Sequence, residues 1–113
     1  MNTLKLDINE LEINEYQKEI SQQGHNRYFD YNETFKTQII LPVDSTYRTI
    51  TFSEVTSPIM LVITSDKLIN AKVNGLEITN TKMLLLNTNI SAVQVANVDL
   101  TEAVVSVSIW GKQ

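Results

Sequence analysis

The stretch that decides the fold is KVNGLEITNTKMLLLNTNISAVQVANVD, residues 72–99. Its strongest feature is the dipeptide Asn74-Gly75, because Asn and Gly both tolerate the positive φ angles that a type I′ turn requires. Short apolar runs flank this dipeptide, and the polar segments NTK and NTN separate the runs that follow. We expect each polar segment to reverse the chain, so that the stretch folds as antiparallel strands.

The same pattern extends outward in both directions. The segment SDK, residues 65–67, predicts a turn between IMLVIT and LINAKV. FKTQIILP predicts a strand that ends at Pro42, RTITF predicts another, and AVVSVSIW predicts the last. The chain thus holds roughly eight to ten short strands with a turn about every 8–12 residues. This spacing predicts an all-β fold, either an antiparallel sandwich or a barrel, and of the two we expect a jelly-roll-like β-sandwich.

The first 36 residues have a less regular pattern. TLKLDIN alternates as a strand, with Leu4 and Leu6 on one face. The next stretch, ELEINEYQKEISQQG, fits a continued strand but also fits a helix that carries Ile13 and Tyr16 on one side and ends at Gly24. We therefore expect an extended or partly helical N-terminal arm over residues 1–36 and a β-sandwich core over residues 37–113.

Composition limits the class of function. The 113 residues suit one domain, and the formal net charge of −4 repels phosphate backbones, so no nucleic-acid partner is expected. The chain has no cysteine, which excludes disulfides and thiolate chemistry. The longest apolar runs hold about five residues, far below the ~20 that cross a bilayer, so no membrane partner is expected.

No residue pattern predicts catalysis. His25 is the single histidine and lies in a polar segment that we interpret as a loop, without a nucleophile motif nearby. Glu10, Glu12, Glu15 and Glu19 are typical of a solvated face. The oxygen-rich segments DYNET and NVDLTE do not follow a calcium-loop pattern. We expect no enzyme activity, no catalytic residue, no cofactor and no metal ion.

Aromatic residues give the candidate interaction site. Tyr28, Phe29, Tyr31 and Phe35 cluster in HNRYFDYNETF, where they could cap the core, bury into a protein partner or stack on sugar rings. Trp110 shares its strand face with two serines, so we expect it to contact the arm or a neighbouring subunit, the alternative being an incidental exposed side chain. These five residues form the predicted interface.

ITSDKLINAKVNG and MLLLNTNISAVQVANVDLTEAVVSVSIWG resemble the C-terminal part of small β-sandwich virion structural proteins of tailed bacteriophages. The shared features are a strand ending in a Ser-Asp turn, a strand closing on Asn-Gly, the LLL step and a final Val-rich strand, over roughly residues 37–111. The resemblance implies a structural, non-enzymatic part of the head, neck, tail or fibre, made in the host cytoplasm and located in the virion. Its implied partners are further copies of itself, as a homo-oligomer, and other virion proteins.

A carbohydrate-binding β-sandwich module is the alternative function. In that case Tyr28, Phe29, Tyr31 or Trp110 would stack on a sugar, and the protein would act as a monomer.

Overall fold

The computed structural model describes residues 2–13 and 19–112, and these residues contain strands and no helix. The strands are β1 Asn2–Ile13, β2 Glu19–Tyr31, β3 Glu33–Leu41, β4 Arg48–Ile50, β5 Pro58–Val73, β6 Leu76–Asn87, β7 Val93–Asn97 and β8 Ala103–Gly111. Every pairing between them is antiparallel. The predicted all-β, antiparallel class is therefore confirmed.

The chain divides into two compact units, Met1–Tyr31 and Asn32–Gln113. The first unit is a two-stranded hairpin of β1 and β2, in which Asn2 lies opposite Tyr31. The helical alternative for the arm is not seen in the described residues, because Gly24 lies inside β2 opposite Asn9 and ends no helix. Residues 14–18, which include Tyr16, lie outside the described part of the chain.

The second unit is one six-stranded sheet that curls into a half-barrel. The strand order is β3-β8-β5-β7-β4, and β6 pairs with β5. The 16-residue strand β5 organises this sheet: it pairs with β6 on one side, and on the other with β8 along its first half and β7 along its second. A single curled layer does not confirm the predicted jelly-roll-like sandwich.

Two of the predicted turns are wrong. SDK lies inside β5, and NTK lies inside β6. At both places the chain continues and the β5–β6 register shifts, between Thr64 and Ile69 and again between Ile69 and Ala71. Asn80 has a φ of 53°, which is the left-handed conformation that a bulge can use. The polar residues of these segments therefore mark irregularities within strands and not reversals.

The Asn74-Gly75 turn is confirmed. The residues have φ angles of 54° and 82°, and Val73 lies opposite Leu76, so the loop has two residues. The Asn74 side chain also fixes the segment before β7, because its Oδ1 accepts hydrogen bonds from the backbone N–H and hydroxyl of Ser91, at 2.7 and 2.9 Å.

The hydrophobic core lies on one face of the curled sheet. Its buried members come from β3–β5, β7, β8 and the loops: Leu41, Ile50, Val55, Leu61, Ile63, Ile69, Ala71, Val73, Ile90, Val93, Val95, Ala103, Val105, Val107 and Ile109. Asn97 is a buried polar side chain, and it is satisfied, since its Nδ2 donates to the carbonyls of Leu41 and Thr101 at 3.1 and 2.9 Å. These bonds tie β3 to the β7–β8 loop.

Candidate interaction surfaces

The hairpin carries three of the predicted interface residues on opposite faces. Phe29 and Tyr31 are half-buried, and Phe29 lies directly opposite Leu4. Residues directly opposite in an antiparallel pair share a face, so Leu4 and Phe29 lie on one apolar face. Tyr28 lies on the other face with 65% of its surface exposed, and Lys5 Nζ is 6.0 Å from the centre of its ring.

Phe35 and Trp110 belong to the second unit and lie on different faces of its sheet. Phe35 is half-buried in β3 and packs against the core. Trp110 is in β8, where alternation places it on the face opposite the core. It is only 7% exposed, and Lys36 Nζ is 5.4 Å from the centre of its ring. Little of the indole is therefore free to meet a partner.

Several carboxylates that could have been catalytic candidates instead accept hydrogen bonds that hold loops in place. The Glu33 carboxylate accepts hydrogen bonds from the backbone N–H and hydroxyl of Thr56 and from the backbone N–H of Ser57, at 3.0–3.3 Å. Desolvation, the largest influence, raises the pKa of Glu33, but these hydrogen bonds together lower it below its usual value. Glu33 thus anchors the segment that precedes β5.

Asp99 and Asp44 act in the same way. Asp99 accepts hydrogen bonds from the backbone N–H groups of Leu100 and Leu68, at 2.7 and 3.3 Å, and these bonds are the main reason that its pKa is lowered. Asp44 accepts from the backbone N–H of Thr46 at 2.9 Å, which lowers its pKa. Ionised, hydrogen-bonded carboxylates of this kind stabilise turns.

A cluster that sequence reasoning missed holds the β3–β4 loop on the sheet. Lys72 and Glu77 lie directly opposite each other on β5 and β6. The Tyr47 hydroxyl donates a hydrogen bond to Glu77 Oε2, and Lys72 Nζ is 4.6 Å from the centre of the Tyr47 ring. Desolvation, followed by the hydrogen bond to Glu77 and its negative charge, raises the pKa of Tyr47 to about 12. A phenol held protonated in this way suits packing and not proton transfer.

A depression of about 320 Å³ lies beside β4. Hydroxyl groups and apolar side chains line it: Thr49, Ile50, Thr51, Phe52, Ser53, Val55 and Ser91. None of the five predicted interface aromatics lies in this lining.

The described residues hold no group of three or more His, Asp or Glu side chains placed to bind a metal ion. His25 lies in β2 opposite Ile8 and not in the predicted loop. The described part of the chain also has no long apolar helix of the kind that spans a bilayer.

Comparisons with known proteins give no relative. No protein-family model matches the sequence, and neither the curated proteins nor the solved structures include a match.

The sheet edges are a further surface, and sequence reasoning found part of it. The uncharged runs MLLL and ISAVQVAN both have the composition of exposed edge strands. β7, in the second run, lies between β5 and β4 and is covered on both sides. MLLL lies in β6, which pairs with β5 and forms a sheet edge. Met83, at 64% exposed, is the residue of this run with the largest exposed fraction.

Proposed function

We propose that this chain is a structural subunit of a tailed-bacteriophage virion, a part of its head, neck, tail or fibre. It acts by symmetric assembly with further copies of itself and with other virion proteins, after synthesis in the host cytoplasm. It catalyses no reaction and needs no cofactor. The resemblance over residues 37–111 motivates this class of protein.

One structural observation carries the assembly proposal. β1 and β2 are 12- and 13-residue strands that pair with each other in a two-stranded sheet and form a unit of their own. A two-stranded hairpin is marginally stable in water and gains stability when its apolar face packs on another surface. A hairpin with Leu4 and Phe29 on one face is suited to cover the surface of a neighbouring copy.

The curled sheet supports the same proposal. Half-buried apolar side chains of β3 and β6, among them Phe35, Ile39, Leu84 and Leu86, extend the core to both of these strands. A neighbouring subunit that packs along the half-buried side chains of β3 and β6 gives a two-layered, sandwich-like arrangement. In this proposal the residues that contact partners are Tyr28, Phe29, Tyr31 and Phe35. Trp110 is buried and contributes to the interface by packing under the Lys36 side chain.

Light scattering coupled to size-exclusion chromatography tests the proposal. We expect a mass that is a multiple of 12.8 kDa and that rises with protein concentration. A strictly monomeric protein at every concentration would contradict assembly.

A carbohydrate-binding module is the second candidate, and the exposure of Tyr28 favours it. An exposed aromatic ring offers a stacking surface for a sugar. Binding of the monomer to a glycan array, abolished by Tyr28→Ala, would support this function. No glycan binding together with self-association would favour the virion subunit.

A further inference from the structure

The C-terminal half of β6 has an open edge. β6 pairs with β5 along one side, and in the described part of the chain no strand pairs with its other side. The backbone N–H and C=O groups along such an edge can pair with a strand of another chain. Proteins that act as monomers usually protect these groups with charges, prolines, bulges or a covering segment.

The backbone groups at the β6 edge are protected against pairing in one part of the strand but not in another. In the middle, Asn80 takes a left-handed conformation, and its backbone N–H donates to Asn70 Oδ1 at 3.0 Å. The Thr81 hydroxyl donates to the carbonyl of Met83 at 2.8 Å, and the β5–β6 register shifts in this region. Such irregularities turn a strand edge away from pairing.

The segment Leu84–Asn87 lacks these devices. It begins directly after Met83, whose backbone N–H and C=O are both bonded to the Thr81 hydroxyl. Its register with β5 is unbroken from Leu84 opposite Ile63 to Asn87 opposite Met60. It contains no charged residue and no proline. An uncharged and regular edge of this kind is prone to pair with another strand.

The segment is apolar on both faces. Leu84 and Leu86 are half-buried and pack against the hydrophobic core. On the other face Met83 is 64% exposed and Leu85 is 37% exposed. A strand added at this edge would therefore continue the core on one face and cover exposed apolar surface on the other.

We propose that two copies of this chain pair here, β6 against β6, in antiparallel orientation about a twofold axis at Leu85. This inference rests on the proposed assembly function and names one of its interfaces. An axis at Leu85 places Leu84 opposite the partner's Leu86 and Leu85 opposite the partner's Leu85. Met83 then lies opposite the partner's Asn87, at the end of the ladder, because its own N–H and C=O are bonded to the Thr81 hydroxyl.

The self-complementary pattern of MLLLN favours a second copy as the occupant. Directly opposite side chains share a face and interact, so in this register leucine meets leucine on both faces of the joined sheet. Lys82 lies opposite the partner's Thr88, so no like charges face each other. A twofold pairing uses the same patch on both copies, as the commonest closed oligomers do.

The size of the contact sets the conditions of the test. A ladder centred on Leu84–Leu86 buries much less surface than the ~1,600 Å² of a standard stable interface. The pair therefore forms at high local concentration, as inside a particle, and a covalent trap is the suitable probe. The chain has no native cysteine, so single-cysteine variants of the full chain report one position at a time.

Leu85→Cys tests the twofold axis directly. Opposite residues of an antiparallel pair have Cα atoms ~4.5–5.5 Å apart, within the range that a disulfide spans. We expect a disulfide-linked dimer under mild oxidation. The matched control is Leu76→Cys, because Leu76 is in the same strand and is 69% exposed but lies outside the unprotected segment. This control should remain without a cross-link under the same conditions.

A charge substitution supplies the second measurement. Leu85→Lys places two ammonium groups opposite each other on the axis, so we expect loss of the dimer at high concentration, whereas Leu76→Lys should leave the mass unchanged. Circular dichroism shows whether both variants keep their strands.

The outcomes separate this inference from the function on which it rests. If the chain assembles but Leu85→Cys does not cross-link and Leu85→Lys leaves the mass unchanged, the edge pairing is wrong and assembly stands. If Leu85→Lys breaks the assembly and Leu85→Cys does not cross-link, another segment of the neighbouring copy occupies the edge, and self-pairing is overturned. A chain that is monomeric at all concentrations overturns both.

Discussion

Met60 lies directly opposite Trp110 across the β5–β8 ladder, and both side chains are buried although the hydrophobic core occupies the other face of the sheet. Met60 is 0% exposed and Trp110 is 7% exposed. The pair forms a second buried site on a face where the neighbouring β8 side chains are serines.

Trp110→Ala should therefore destabilise the folded chain itself. Replacing a buried Trp by Ala typically costs about 3–5 kcal/mol, through lost apolar burial and the cavity that is left. The measurement is the free energy of unfolding in urea. Leu100→Ala is the control, because Leu100 is 91% exposed and its truncation should change stability little. Unchanged stability with a weakened oligomer would instead mean that Trp110 acts mainly between subunits.

The hairpin gives a prediction about assembly. Leu4→Ser with Phe29→Ser changes two directly opposite residues on the apolar face, so we expect the oligomer to dissociate at concentrations where the parent chain stays assembled. The control pair is Thr3→Ala with Asp30→Asn on the other face, where Thr3 Oγ1 donates to Asp30 Oδ1 at 3.1 Å at an exposed position. Light scattering compares the masses, and equal weakening by both pairs would contradict a one-sided interface.

The sequence predicted the strands well where side-chain alternation is regular. FKTQIILP and AVVSVSIW alternate clearly, and they correspond to β3 and β8, which pair along their whole length. The Asn74-Gly75 turn was predictable because only a few residue types tolerate two consecutive positive φ angles.

The long-range features were not predictable from the residues alone. SDK and NTK have turn-like composition, but a bulge uses the same polar residues, and a local pattern does not distinguish the two. Alternation placed Trp110 on the face opposite the core, but its burial depends on which distant side chains lie over it. The cluster of Tyr47, Lys72 and Glu77 joins a loop to two strands, so no local sequence motif predicts it.

Gly111 is predicted to be intolerant of a side chain because of close packing. A Cβ at this position would lie 2.5 Å from Val55 Cγ1 and 2.6 Å from the Ser57 carbonyl oxygen. The carbonyl belongs to the backbone and cannot move aside cheaply, so Gly111→Ala should cost about 1–3 kcal/mol of unfolding free energy.

Comparing Gly75→Ala with Gly111→Ala distinguishes the cost of backbone strain from the cost of steric crowding. Gly75 has a φ of +82° but no atom within 4 Å of an added Cβ, so its substitution should cost about 1–2 kcal/mol from the left-handed backbone alone. Urea unfolding of both variants measures the two costs. A fully tolerated Gly111→Ala would contradict the close approach of β8 to the segment before β5.

The protonation of Glu33 should account for part of the stability that the fold loses in acid. The pKa of Glu33 is lowered in the folded state, so its contribution to stability is present above the unfolded pKa and is lost as the pH falls through the folded pKa. We expect the unfolding midpoint of the parent chain to drop as the pH falls below the ordinary pKa of glutamate and that of Glu33→Gln to drop less, because glutamine does not titrate. Glu102→Gln, at an exposed position, is the control and should follow the parent curve. Parallel curves for Glu33→Gln and the parent chain would assign the acid sensitivity to other carboxylates.

The ionisation of Tyr47 should lower the stability of the fold at high pH. Because the pKa of Tyr47 is raised to about 12, its contribution to stability is present below the unfolded pKa and is lost as the pH rises towards the folded value. Ultraviolet titration should show an increment of tyrosinate absorbance near pH 12 that is missing in Tyr47→Phe. Glu77→Gln removes the negative charge that faces the phenol, so it should shift this increment to lower pH, whereas Glu54→Gln at an exposed site should leave it in place. If Glu77→Gln leaves the increment unshifted, burial alone holds the phenol protonated and the charge of Glu77 contributes nothing.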